Sequence, residues 1–319
     1  MESATNRPAA WKTLLAFAII YLVWGTTFLA IRIGVREVSP FLLAAMRFLV
    51  AGLVLCGWTL AHGDKFPAGR QWAATFVIAF LIFVVDYGLL FWAEQRVPSG
   101  LAAVMLATIP AFTALFEIIL LRTQKLTLRL SAALLIGLGG VAVLVSRSLN
   151  LGGQPIDRAG AAALIVGAIS WSIAAALSRK LPLPPSKVMS SGAQMLAGGI
   201  LLSITAGALG EVRAFHPSAV SRGAWLALAY LIVAGSIAGF TAYVWLIHHE
   251  SLTKVGTYAY VNPVVAVFVG YFLAGEALGP RTLLGTLFVL ISVVTITMPS
   301  AKKAAVPPAK PAAADVLES

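Results

Sequence analysis

Charge is what this 319-residue chain has least of: 11% of its residues are charged and 60% are hydrophobic. A soluble globular chain carries about 25% charged residues, so an ordinary soluble domain is excluded. The mean hydropathy of +0.92 points to lipid as the solvent. Cysteine is nearly missing: the single Cys56 lies in an apolar run and rules out an intrachain disulfide. The four histidines are scattered apart from the adjacent His248 and His249, so no Cys/His set has metal-ligand spacing. Neither a metal nor a cofactor is expected. A phosphate-cradling GxxxxGK[ST] loop, an HExxH pair and a Ser/His/Asp set are missing too. The chain therefore reads as no ATPase and no enzyme. A receptor or membrane-embedded enzyme would need a large extramembrane domain or a catalytic cluster, and neither is seen.

The net charge of +11 raises nucleic acid as a partner. That reading needs a clustered basic face, whereas the Lys and Arg here sit singly or in small groups between apolar runs. No nucleic-acid partner is expected, and the cations read as determinants of membrane topology.

What the chain has in abundance is apolar runs. A helix crossing the roughly 30 Å hydrocarbon core needs about 20 residues. Cutting at charges and Pro/Gly breaks predicts ten spans: 11–31, 40–61, 72–93, 99–121, 130–146, 159–178, 188–209, 224–247, 254–275 and 282–299. Backbone groups in lipid must pair within the segment, so these spans are helices. The first run exceeds the 7–15 residues of a signal-peptide core and reads as a retained span. With the N-terminus cytoplasmic, fourteen Lys/Arg fall inside and eight outside; this bias favours both termini in the cytoplasm.

Self-comparison shows a repeat. YLVWGTTF around Trp24 returns 147 residues later as AISWSIAA around Trp171, and Arg47 falls opposite Gln194. Further on the offset is 153, pairing Trp92 with Trp245 and Pro110 with Pro263. Five spans per half is an odd number, so the second copy inserts upside down, an architecture of transporters with substrate bound near the midplane. The expected organisation is a cytoplasmic tail at 1–10, a first five-helix repeat at 11–147 and a linker at 148–158. A second, inverted repeat at 159–299 and a disordered cytoplasmic tail at 300–319 complete it.

Pro40 with Arg47 and Phe48 in the second span, the Pro-centred fourth span and the stretch NPVVAVFVGYFLAGEAL (Asn262 to Leu278) carry a resemblance. Over residues 11–299 the chain resembles the EamA family of the drug/metabolite transporter superfamily. The ending Pro263, Gly275, Glu276, Leu278 is clear in the second half; Gln124 and Lys125 stand in place of Gly-Glu in the first. The resemblance implies an all-α membrane protein of ten transmembrane helices, two inverted five-helix repeats and both termini cytoplasmic. It further implies a multi-pass protein of the inner membrane that exports small metabolites, amino acids being a common substrate class. Amino-acid exporters of this family, aromatic ones included, place a first-helix tryptophan in the central cavity. Trp24 matches it, and Trp171 is its repeat partner.

Only five charges fall inside the spans: Lys12 and Lys254 at span starts, and Arg47, Asp86 and Glu117 deeper. A deep charge costs about 2.5–3.5 kcal/mol on insertion scales and needs a reason. Arg47 and Asp86 lie at matching depth, so a structural ion pair between them is expected. Alternatively Asp86 faces a cavity, where it binds a substrate ammonium or carries a coupling proton. Glu117 is expected to snorkel toward Arg122 or Lys125. Glu94-Gln-Arg96 and His248-His249-Glu250 read equally as gates or as solvated helix ends. Tyr258 and Asn262 share a helical face beside Pro263, which fits either a cavity wall or helix packing. The candidate substrate contacts are Trp24, Asp86, Tyr87, Trp171, Gln194, Tyr243, Tyr258 and Asn262. The expected partners are a small molecule and the bilayer, with the energy coming either from proton antiport or from simple downhill flux. Efflux of cationic compounds is the rival within transport.

Overall fold

The computed structural model describes residues 9–97, 102, 105–145, 157–274 and 280–298. The expected tail at 300–319, most of the linker at 148–158 and the Gly275-Glu276-Leu278 ending lie outside the described residues. Among the described residues every regular element is helical and no strand occurs.

Helix α1 spans Ala10–Gly34, α2 Pro40–Ala61, α3 Arg70–Ala93 and α4 Ile109–Leu121. Then come α5 Leu128–Val145, α6 Arg158–Leu177, α7 Lys187–Ala208 and α8 Arg222–His249. A one-turn α9, Leu252–Gly256, precedes α10, Tyr258–Ala274, and α11, Pro280–Thr297. Six of these (α1, α2, α3, α6, α7 and α8) are long and apolar enough to cross a bilayer. Ile109–Leu121, Leu128–Val143 and Leu283–Thr297 are shorter apolar stretches. Large apolar side chains such as Leu14, Leu22, Leu53, Leu135 and Val233 point outward, as a lipid-facing exterior requires. Polar residues including Thr27, Ser172, Ser191 and Ser236 are buried among the helices instead.

Start signals agree with local sequence chemistry. Pro40 opens α2 at its first turn, where a missing N–H costs nothing. Asp157, Ser186, Ser221 and Ser251 cap α6, α7, α8 and α9, each side chain accepting a backbone N–H near the start of its helix.

The most extensive helix pairs are α2 with α7 and α5 with α11. The first pair closes on glycine: a Cβ on Gly52 would lie 2.7 Å from the Leu196 Cα, and one on Gly199 2.6 Å from the Leu49 nitrogen. Small residues let two backbones touch where lipid offers no hydrophobic drive.

Three helices are wound unusually wide, α3 over Phe80–Tyr87, α4 over Glu117–Leu121 and α8 over Leu231–Phe240. Such π-wound stretches are frequent at functional sites. The stretches in α3 and α8 each receive a side chain from a helix of the other half of the chain. The Ser170 hydroxyl of α6 donates to the Leu81 carbonyl at 2.8 Å, and the Trp24 indole of α1 donates to the Gly235 carbonyl at 3.0 Å.

Call the N-face the end of the bundle that carries the start of α1. At the opposite end, two carboxylates join the halves. Glu37 accepts the Ser221 N–H at 2.6 Å and its hydroxyl at 2.7 Å, which holds the Glu37 carboxyl below its usual range. Glu211 accepts the Leu42 N–H at 2.8 Å, at the start of α2.

Candidate functional site

Between the two halves lies a cavity of about 50 Å³. Trp24 and Thr27 of α1, Asp86 and Tyr87 of α3, Trp171 of α6, and Tyr258 and Asn262 of α10 line it. It extends from mid-bundle toward the end away from the N-face, past Ile31 and Leu90. Trp24 meets Trp171 edge to face with ring centroids 5.6 Å apart, and Tyr258 edge to face at 4.9 Å. Tyr243 of α8 lies behind them, 4.8 Å from Trp171 and 5.4 Å from Trp24. Tyr87 closes the ring of aromatics at 5.9 Å from Trp171. Pairs of this kind are worth about 0.5–1.5 kcal/mol beyond their burial and fix one another's orientation.

Trp24 reaches this position because Gly239 of α8 carries no side chain, while the absent Cβ of Gly235 leaves room for Arg47 and Thr27. A Cβ on Gly239 would lie 3.0 Å from the indole Cδ1. Gly239 therefore seats a cavity residue. On α10 the Asn262 amide, with its nitrogen turned to the available acceptors, donates to the Tyr258 carbonyl at 3.0 Å and the Tyr21 carbonyl at 3.3 Å. Pro263 stands beside it inside the helix.

Asp86 is 5% exposed and lines the cavity, with no hydrogen bond or ion pair to any described residue. The ion pair expected between Arg47 and Asp86 is not formed. Arg47 is fully buried; its Nε donates to the Ser236 hydroxyl at 2.7 Å. Its guanidinium lies over the Phe48 ring at 4.7 Å and the Tyr87 ring at 5.2 Å, a cation–π seat. Its Nη1 has no hydrogen-bond partner among the described residues. Equal depth along two helices did not bring the two side chains together, because α8 supplies Ser236 to Arg47.

Of the other expected contacts, Gln194 is buried but does not line the cavity; its amide nitrogen donates to the Ser190 hydroxyl at 2.9 Å. Glu117 does not snorkel. It is buried and accepts the Thr253 hydroxyl at 2.7 Å, the Thr253 N–H at 3.0 Å and the Leu252 N–H at 3.3 Å. Arg179 approaches it at 3.7 Å. Glu94 is no solvated helix end either: it is 5% exposed with both carboxylate oxygens unpartnered among the described residues. Burial pushes its carboxyl up to about 7, against the opposing pull of the Arg32 charge.

The contacts that sequence reasoning missed are Ser236, Thr253 and Arg179. Arg179 directly follows the sixth expected span, the one signal that marked it. Toward the N-face from the aromatics, Thr113, Ala175, Ile247 and Leu252 pack with no room for a water molecule. Among the described residues no group of His, Cys, Asp and Glu could hold a metal ion.

A solved crystal structure matches with a TM-score of 0.73 at 22% identity, covering 90% of this chain and 97% of that one; this shows a shared fold. The inner membrane transporter YedA of Escherichia coli K12 is 37% identical over 305 residues, 95% of each chain. The protein PagO of Salmonella typhimurium is 32% identical over 112 residues, 34% of this chain and 36% of its own. The model of the EamA-like transporter family matches twice, at residues 11–146 and 158–298. The chain belongs to the EamA-like transporter family, and its long apolar helices make it a multi-pass membrane transporter.

Proposed function

We propose that the protein is a secondary transporter that exports small metabolites, amino acids including aromatic ones, from the cytoplasm by alternating access. On this reading the chain crosses the membrane ten times as two inverted five-helix repeats, with the N-face and both termini cytoplasmic. Supporting it are the pairing of α2 with α7 and of α5 with α11, the second and fifth spans of each half. The meeting of Trp24 with Trp171 and the wide winding at matching places in α3 and α8 support it too.

The observation that carries the reading is the Asp86 carboxylate on the cavity wall, bonded to no described residue and surrounded by Trp24, Trp171 and Tyr258. A carboxylate and aromatic faces both attract an ammonium group, and the rings offer apolar surface to the rest of an amino acid. The cavity is small, so a substrate enters only as the rings part, which is a conformational step rather than a fixed pore. Its energy source is a proton carried by Asp86 or the substrate's own gradient.

Counterflow of labelled amino acids in proteoliposomes tests this. Exchange of phenylalanine or another amino acid is expected, and Asp86→Asn should lower it at least about tenfold with folded yield unchanged. No exchange of any amino acid removes the reading, and an Asp86→Asn protein that exchanges normally across pH removes the role of Asp86. One observation favours a second reading, efflux of organic cations: the described cavity wall carries an acid and no basic side chain. Exchange of tetraphenylphosphonium without exchange of amino acids would establish it instead.

A further inference from the structure

On the N-face lies a second, wider cavity of about 520 Å³, lined by Glu117, Arg179, His248, His249, Glu250 and Ser251. Dense packing without room for water separates it from the aromatic cavity, so the two are distinct spaces. Its polar groups differ in how far they are committed. Glu117 is saturated by Thr253 and Leu252. The Glu250 carboxylate is held by Lys254 at 3.3 Å. The two imidazoles each engage Nδ1 with the carbonyl four residues back, those of Val244 and Trp245, at 2.7 Å.

Arg179 is the exception. Its Nε donates to the Ile247 carbonyl at 2.8 Å and its Nη2 to the Glu250 carbonyl, so the fork is fixed in place. Its Nη1 makes no hydrogen bond to a described residue. Its approach to Glu117 is 3.7 Å, well beyond the roughly 2.7–2.9 Å of a charge-assisted hydrogen bond. The guanidinium is partly exposed, 22% by side chain, on the wall of an open polar cavity. A fixed cation with an uncommitted donor is a site for an anion.

We propose that this cavity is a loading site for the carboxylate group of a small molecule, bound by Arg179 before the molecule reaches the aromatic cavity. A carboxylate arriving at Nη1 displaces the weak attraction of Glu117. Among the described residues of the first half, Glu117 is the group that accepts hydrogen bonds from the Leu252–Thr253 turn of the second, so its pull from Arg179 and the closure of this face are linked. That the molecule enters from this side rests on the export reading above; the binding of a carboxylate does not.

The test is a fluorescence titration of the purified full chain in detergent, with Cys56→Ala and Ser251→Cys labelled by an environment-sensitive dye. The probes are phenylacetate, with only a carboxylate, phenethylamine, with only an ammonium, and phenylalanine with both. Saturable responses to phenylacetate and phenylalanine are expected, with none to phenethylamine. Arg179→Gln should weaken the carboxylate response at least tenfold, while Glu117→Gln, which keeps the shape and removes the competing charge, should strengthen it about threefold or more. No saturable response, equal responses to all three probes, or responses the same in both variants would overturn the proposal. The two readings fail separately: a carboxylate response in a protein that exchanges no amino acid would leave this site standing and remove amino-acid export.

Discussion

The Glu117 carboxylate of α4 holds both the hydroxyl and the N–H of Thr253, at 2.7 and 3.0 Å, across 136 residues of chain. A buried acid thus serves as acceptor for the first turn of a helix in the other half, whose N–H groups would otherwise be unpaired. Its charge is offset by those dipoles and by Arg179 rather than by the nearby Arg122 or Lys125. The consequence is mechanical: α4 and α9 separate only if this carboxylate lets go.

Removing that acceptor should destabilise the fold. Glu117→Ala leaves the Leu252 and Thr253 N–H groups and the Thr253 hydroxyl without a partner, at about 1–3 kcal/mol for a buried unsatisfied group. A fall in the thermal midpoint in detergent is expected, larger than for Arg122→Ala on the same helix end. Equal midpoints for the two variants would contradict the geometry.

Arg47 and Asp86 should behave as independent sites. Arg47 already rests on Ser236, Phe48 and Tyr87, and Asp86 faces the cavity. Arg47→Met removes a buried charge with an unpartnered Nη1, so stability should fall by no more than about 1 kcal/mol, the loss of one hydrogen bond. Combined with Asp86→Asn, the effects should add within about 0.5 kcal/mol. A coupling above that in the denaturation cycle would mean the pair interacts after all.

The seat of Trp24 predicts a loss at a distance from the cavity. Gly239→Ala puts a methyl group against the indole, and the overpacking should cost about 1–3 kcal/mol. Trp24 then shifts away from Trp171 and Tyr258, and substrate exchange should fall together with the thermal midpoint. Gly139→Ala, at a position with open space around it, is the control and should change neither.

Glu94 predicts a pH dependence of stability. Its folded carboxyl titrates at about 7, above the ordinary value of 4.5, so between these limits the folded state binds more protons than the unfolded one. Stability then falls as pH rises. Below pH 4.5 the group is protonated in both states and imposes no penalty; through about 7 the buried charge develops and its cost is complete. Thermal midpoints measured from pH 4.5 to 8 should drop over this window, and Glu94→Gln should remove that part of the slope. An identical profile for the variant would show that Glu94 is not the group responsible.

Much of the architecture was legible in the residues. Apolar run length marks helices because a backbone in lipid has no other partner for its N–H and C=O groups, and the helices α1, α2, α3, α6, α7 and α8 lie where the runs are. Asp86, Tyr87, Tyr258 and Asn262 were nameable as cavity candidates because polar and amphipathic groups in apolar helices stand out singly, and Trp24 with its repeat partner Trp171 through the family resemblance. Gln194 stood out in the same way, yet Ser190, one turn back on its own helix, satisfies it. For Arg47 and Glu117 depth along a helix was known, but direction around it and the identity of the facing helix were not.

The sequence by itself determined that this is a helical membrane protein, roughly where its segments begin and end, and which few charges lie deep. Those are properties of local composition set against the thickness and polarity of a bilayer. Only the tertiary structure decided the partners: Ser236 for Arg47, Thr253 for Glu117, open space for Asp86. A buried polar group takes whichever partner helix packing brings within about 3 Å, and that packing is set by contacts such as Gly52 with Leu196 and Gly239 with Trp24, far apart in the chain.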